Sequence, residues 1–168
     1  VRDGVEAGAF GFSTSRTLNH RTSTGDLTPT IGAAGTELLG IATAMRASGR
    51  GAFEVVSDFE DLDTEFDVFR RIAEQTGTRT FISLNQNKKG GFRGVLSRVG
   101  EAADAGLPMT AQVAVRPIGV LFGLDTTLDP FLLNPVWHEV RSSGRREKVA
   151  SLRDPGFRQR LRQADDPA

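Results

Sequence analysis

Short runs of strand-forming residues alternate with helical patterns along this chain, and this alternation limits the possible folds more than any other feature. Strand–helix–strand order implies parallel strands joined by right-handed crossovers. The later units recur at about 30 residues, the usual size of a βαβ unit. Phe, Val, Ile and Thr dominate the predicted strands, as strand propensity requires. The predicted strands are Ala9–Ser13, Ala52–Ser57, Arg79–Leu84 and Met109–Val115. The sequence therefore predicts an α/β fold with four parallel strands.

Three apolar stripes lie between these runs. Their members recur at the spacing of one helix face, and each stripe ends near a glycine suited to a left-handed cap. The stripes are Leu38, Ile41, Ala42 and Met45 before Gly49, then Leu62, Phe66, Phe69 and Ile72 before Gly77, then Phe92, Val95, Leu96, Val99 and Ala103 before Gly106. The crossovers are therefore predicted to be amphipathic helices.

The number of strands indicates which kind of parallel sheet this is. A complete (β/α)8 barrel needs about 250 residues, so four strands in 168 residues amount to half of one. An open doubly wound sheet would favour GxGxxG opening a helix after a strand, which is missing here. The sequence predicts an internal fragment of one TIM (β/α)8 barrel, with βα units over 1–115 and a loop and helical lid or flank over 116–168.

Composition excludes several function classes. Lys and Arg number 21, as do Asp and Glu, so the net charge is zero and no electrostatic signal indicates nucleic acid or an anionic membrane. No cysteine is present, which excludes disulfides and thiolate metal sites. No apolar run approaches the ~20 residues of a membrane span. A cytoplasmic protein that binds a small molecule is expected.

A long polar loop follows the first predicted strand. Ser15, Arg16, His20 and Arg21 stand at its beginning, where catalytic barrels place binding residues. The two arginines suit a substrate carboxylate, because guanidinium binds carboxylate bidentately, and His20 can act as an acid, a base or a ligand. The alternative is a polar loop held by its own turns, with a solvated histidine.

Polar residues also follow the other strands. Strand alternation places Glu54 on the face opposite Phe53 and Val55, and Asp58 after the strand is a weak catalytic candidate or a loop and cap residue. Further candidates for substrate binding lie beside the third and fourth strands, where amides can hydrogen-bond a substrate amide and arginine can bind an anion. These are Asn85, Gln86, Gln112 and Arg116.

Several segments together resemble one protein family. EAGAFGFSTSRTLNHRT, GRGAFEVVSDF, ISLNQ and GLPMTAQVAVRPIGVLFGL resemble, in the same order, segments of the N-acyl-D-amino-acid deacylases of the amidohydrolase superfamily. The resemblance covers nearly the whole chain and is most specific over Gly11–Arg21 and Gln112–Gly123. It implies a metal-dependent hydrolase in which zinc activates the water that attacks the amide carbonyl.

The resemblance also implies that most zinc ligands lie outside this chain. The family's HxH pair would precede Val1, and its aspartate base would follow Ala168. The family places histidines at the ends of the next two strands, whereas here those ends contain Asp58 and Asn85. A second hypothesis is therefore a non-catalytic or degenerate barrel that binds acylated amino acids, and under either hypothesis the chain by itself is expected to be inactive. A half barrel would also self-associate through its open sheet edges.

Overall fold

The computed structural model describes residues 1–86 and 91–164, and these form two compact units. The first, here called the sheet unit, comprises Val1–His20 and Leu27–Ile118. The second, the helical unit, comprises Arg21–Asp26 and Gly119–Ala168. No helix in the described part of the chain is both long enough and apolar enough to cross a membrane.

The sheet unit contains one parallel sheet in the order β1-β2-β3-β4. Its strands pair in parallel throughout, and they are β1 Gly11–Arg16, β2 Ala52–Ser57, β3 Arg79–Ser83 and β4 Met109–Gln112. The prediction of an α/β fold with four parallel strands is confirmed, as one open sheet with flanking helices. Consecutive strands lie side by side, so each crossover moves one position along the sheet.

The first and last strands differ from their predicted bounds. β1 begins at Gly11 because Ala9 donates its N–H to Gly4 O at 2.9 Å, which ties that residue to the preceding helix. It continues to Arg16 because β2 offers partners as far as Ser57. β4 stops at Gln112, which faces Ser83, the last residue of β3. The predicted extension to Val115 fails because no neighbouring strand continues the hydrogen-bond ladder.

Helices cover one face of this sheet. They are α1 Arg2–Glu6, α2 Gly35–Ala47, α3 Leu62–Thr76 and α4 Phe92–Asp104, with a 3-10 turn over Pro29–Gly32. Phe53, Val55 and Ile82 project from the sheet into the same core as the helix residues Leu38 and Phe69, and all five are buried. The core therefore lies between the sheet and a single layer of helices.

The helix boundaries follow the predicted local signals, with one exception. Asp61 caps α3 by accepting the Thr64 N–H at 3.1 Å, and Gly77 ends the helix with φ 64°, a conformation that glycine adopts without steric cost. In α4 the predicted stripe is wrong at Leu96, which is 51% exposed, and at Ala103, which is also exposed, whereas Ala102 is fully buried. The helix therefore turns a slightly different face to the core.

The helical unit has its own small core. It contains a 3-10 turn at Trp137–Glu139, α5 Arg145–Arg153 and α6 Pro155–Ala164. Trp137 and Phe157 are buried there together with Leu161. Asp154 caps α6 by accepting the Phe157 N–H at 2.7 Å, as the Asp-Pro start predicts.

Candidate functional site

The sheet face opposite the helices carries polar side chains. Alternation along each strand directs Ser13, Ser15, Glu54, Ser83 and Gln112 away from the buried Phe53, Val55 and Ile82. Ser13 and Gln112 are exposed, and Ser15, Glu54 and Ser83 are half-buried. A polar face on a parallel sheet is unusual, because such sheets are normally apolar on both faces. This face is therefore the candidate location of a functional site.

Glu54 connects three strands on this open face. Its carboxylate accepts hydrogen bonds from the hydroxyl of Ser13 on β1 and from the hydroxyl of Ser83 on β3, the latter at 2.7 Å. Each carboxylate oxygen thus has one donor from a rigid neighbouring strand, which holds the side chain in one position. Sequence reasoning placed Glu54 on the correct face but did not assign it to the site. The available signal was a carboxylate in mid-strand between apolar residues.

Ser15 and His20 form the second polar contact of the site. The Ser15 Oγ lies 2.6 Å from the His20 Nδ1, so the hydroxyl restrains the imidazole ring. His20 is exposed, and its backbone N–H donates to Thr17 O at 3.3 Å in a tight turn. With Nδ1 engaged, Nε2 is the ring nitrogen left for proton exchange with a ligand.

Asp58 holds the loop that presents His20. Its carboxylate accepts the Thr17 hydroxyl at 2.6 Å and the Leu18 N–H at 2.8 Å. Because Asp58 follows β2 and the loop follows β1, these bonds connect two strand ends. The contacts correspond to the loop role predicted as the alternative to catalysis, and helix capping is done by Asp61 instead.

Four of the predicted site residues line a single cavity of about 650 Å³ beside the carboxyl ends of the strands. They are Ser15, His20, Asn85 and Gln112. Glu54 and the two serines that bind it line the same cavity. Polar groups that follow or belong to all four strands are thus brought to one place, which a parallel sheet achieves by aligning its carboxyl ends.

Arg16 lies on the other side of the sheet. As the last residue of β1 it alternates with Ser15, so its side chain turns towards the helices, where Nη1 donates to Ala33 O at 2.6 Å. Its Nε is 3.9 Å from a Glu65 carboxylate oxygen, and Ser57 donates to the same carboxylate. Arg16 does not line the cavity, because its side chain lies on the helix side of the sheet.

The three remaining predicted site residues do not line the cavity either. Gln86 and Arg116 are exposed residues of the sheet unit. Arg21 belongs to the helical unit, where its Nη1 donates to Gly25 O at 3.5 Å. Their substrate-binding roles stay predictions.

The described residues do not by themselves fit the zinc site that the family resemblance implies. Within residues 1–86 and 91–164, no three His, Cys, Asp or Glu side chains come together in a way that could hold a metal ion. Glu54 is engaged by two hydroxyls, and His20 by one. No chemical step is therefore assigned to a metal held by this chain.

The chain matches no model of a known protein family, no curated protein and no solved structure.

Proposed function

We propose that this chain supplies half of the substrate-binding mouth of a (β/α)8 amidohydrolase that removes the acyl group from N-acyl-D-amino acids. The observation that carries the proposal is the cavity in which Ser15, His20, Asn85 and Gln112 meet. Barrel enzymes bind substrate at the carboxyl ends of their strands, and this cavity lies beside those ends.

The topology supports the barrel part of the proposal. Sequential strand order with the helices on one face is the arrangement of consecutive units in a (β/α)8 barrel. A doubly wound sheet instead reverses its strand order and carries helices on both faces. Each outer strand, β1 and β4, pairs on one side only, which leaves edges where further barrel strands would continue. A closed barrel would also enclose the polar face that carries Glu54.

The amide side chains of the cavity suit an N-acyl group. Asn85 and Gln112 each carry a carbonyl acceptor and an NH₂ donor, so together they can bind both the acyl carbonyl and the amide N–H of the substrate. Ala114 and Ile118 line the same cavity, and Arg116 lies between them in sequence. Since Arg16 is engaged at the helices, Arg116 is the arginine that we assign to the substrate carboxylate.

Hydrolysis also needs proton transfer. When water adds to the acyl carbonyl it gives up a proton, and when the C–N bond breaks the leaving amine takes one up. We assign this transfer to His20 Nε2, because Ser15 restrains the ring through Nδ1. Glu54, held by its two serine donors, provides a fixed negative charge beside the cavity that orients the donors of the substrate.

The test is enantioselective binding followed by turnover. Titration of N-acetyl-D-leucine and N-acetyl-L-leucine, monitored by amide NMR, should shift Ser15, Asn85 and Gln112 with the D enantiomer preferred. Gln112→Ala should weaken binding about 5- to 10-fold, the effect of one neutral hydrogen bond of ~1 kcal/mol. His20→Ala should slow the release of D-leucine, since His20 carries the proton transfer. His138→Ala is its matched control and should leave release unchanged, because His138 is an exposed histidine of the helical unit.

Release of D-leucine by a complete barrel that contains this segment, measured with and without added zinc, separates the two hypotheses. Binding with release supports the hydrolase. Binding with no release under either condition favours the non-catalytic barrel, and absence of any binding contradicts both.

A further inference from the structure

A second cavity, of about 550 Å³, lies at the amino-terminal ends of the strands, the end opposite the candidate site. Ala52 and Arg79, the first residues of β2 and β3, are part of its lining. The loops that precede these strands form its walls, and Gly51 and Gly77 in them have φ of 106° and 64°. Left-handed backbone at these positions lets the loops turn without a side chain entering the cavity.

The charge of this cavity has one sign. Arg46, Arg50 and Arg79 line it, and no carboxylate is found among its described lining residues. This contrasts with the chain as a whole, in which acidic and basic residues are equal in number. Three guanidinium groups in one concave surface favour an anion.

Two of the guanidinium groups are held in place by backbone. Arg46 Nη1 donates to Gln75 O at 2.9 Å, and Arg50 Nη2 donates to Glu6 O at 2.6 Å. A guanidinium has five N–H donors, so each retains others for a ligand. The Arg79 side chain is exposed and forms no hydrogen bond or ion pair with the residues that the structure describes.

The local helix dipoles do not cancel this charge. α2 and α3 end beside the cavity, at Ala47 and Thr76, and each helix end contributes about half an elementary negative charge. Their sum, roughly one negative charge, opposes three formal positive charges. The net field in the cavity therefore still attracts an anion.

Two aromatic rings complete the lining. Phe10 is 98% exposed, and Phe81 is half-buried on the open face of β3. Both line the cavity with the three arginines. Burial of the exposed Phe10 ring against a ligand would be favourable, and a flat ring would bury it by stacking.

We propose that this cavity is a binding site for a small organic phosphate that carries a flat ring, such as a nucleoside monophosphate. The arginines hold the phosphate, because guanidinium and phosphate pair bidentately. Phe10 and Phe81 stack on the ring. The volume of about 550 Å³ suits a ligand of this size. The site shares no lining residue with the candidate site of the deacylase proposal, but Phe81 lies on the open face that a closed barrel would enclose.

The test is calorimetric titration of the full chain with AMP, inorganic phosphate and adenosine. AMP should bind more tightly than inorganic phosphate or adenosine, and added salt should weaken the binding of AMP. Arg79→Gln should weaken the binding of AMP at least about tenfold, as the loss of a charged hydrogen-bond partner of a phosphate does. Arg158→Gln is the control, since Arg158 is an exposed arginine of α6 outside the cavity and its loss changes the net charge equally.

Phe10→Ala separates the ring from the phosphate. It should weaken AMP while leaving inorganic phosphate unchanged, and Phe10 is exposed enough that the fold should persist, which circular dichroism checks. The proposal is overturned if AMP fails to bind at about 10 mM, well above a millimolar Kd, or if Arg79→Gln behaves like Arg158→Gln. Equal affinities for AMP and inorganic phosphate would overturn the role of the rings.

Discussion

Replacing Asp58 by alanine should release the loop that carries His20. Asp58 accepts two hydrogen bonds from that loop, from the Thr17 hydroxyl at 2.6 Å and the Leu18 N–H at 2.8 Å. A hydrogen bond to a charged group contributes about 1.5–3 kcal/mol. Because Asp58 is exposed, solvent screening reduces both contributions, and we expect a total loss of about 2 kcal/mol in loop closure.

Amide hydrogen exchange at Leu18 measures this loss directly. Since 1.4 kcal/mol corresponds to a factor of ten, about 2 kcal/mol should speed exchange of the Leu18 amide roughly 30-fold. The His20 ring resonances should shift as well, because the ring would no longer be presented to Ser15. Global unfolding should change less, since the loop can open while the core stays packed.

Glu60→Ala provides the matched control for Asp58→Ala. Glu60 is an exposed carboxylate two residues after Asp58, in the loop that follows β2. Its removal changes the charge equally without removing a hydrogen bond to Thr17 or Leu18. Equal exchange rates at Leu18 in the two variants would refute the inference that Asp58 anchors the loop. Asp58 would then return to the candidates for a direct role in the site.

Two further predictions concern stability and association. The pKa of Asp61 is lowered in the fold, first by its side-chain hydrogen bond with Thr64. Its contribution to stability as a cap should therefore be complete above the unfolded pKa of about 3.9 and be lost as pH falls through the lower folded pKa. Asparagine can also cap a helix but does not titrate, so Asp61→Asn should show a smaller drop in Tm between neutral and acidic pH than the unchanged protein. The free edges of β1 and β4 should make the isolated chain self-associate, so its sedimentation mass should rise with concentration, whereas a sharp, concentration-independent monomeric melt would contradict this.

The elements that sequence predicts best are those whose local and tertiary signals agree. β2 has its predicted bounds, because its buried residues Phe53 and Val55 alternate with Glu54 and it is paired on both sides. α3 runs between its predicted first residue and the predicted glycine, because both its cap and its C-terminal glycine act within one turn. Strand alternation and helix caps depend on residues that are close in sequence, so the sequence pattern predicts them.

The candidate site was predictable only in part. Ser15 and Asn85 stand near strand ends, and parallel strands bring their ends together, so sequence reasoning could place them beside one cavity. Arg16 follows Ser15 directly but faces the helices, because β1 continues through Arg16 and successive side chains of a strand point to opposite faces.

The sequence by itself determined the order of strands and helices, the caps and the apolar face of the sheet, since these follow from propensity and periodicity within each segment. Only the tertiary structure decided that Ser13 and Ser83, on strands either side of Glu54, would both donate to its carboxylate. It also decided that Arg79, far along the chain from Arg46, would share a cavity with it. The physical reason is that such contacts depend on register and on how far each strand extends, and both are set by the neighbouring strand.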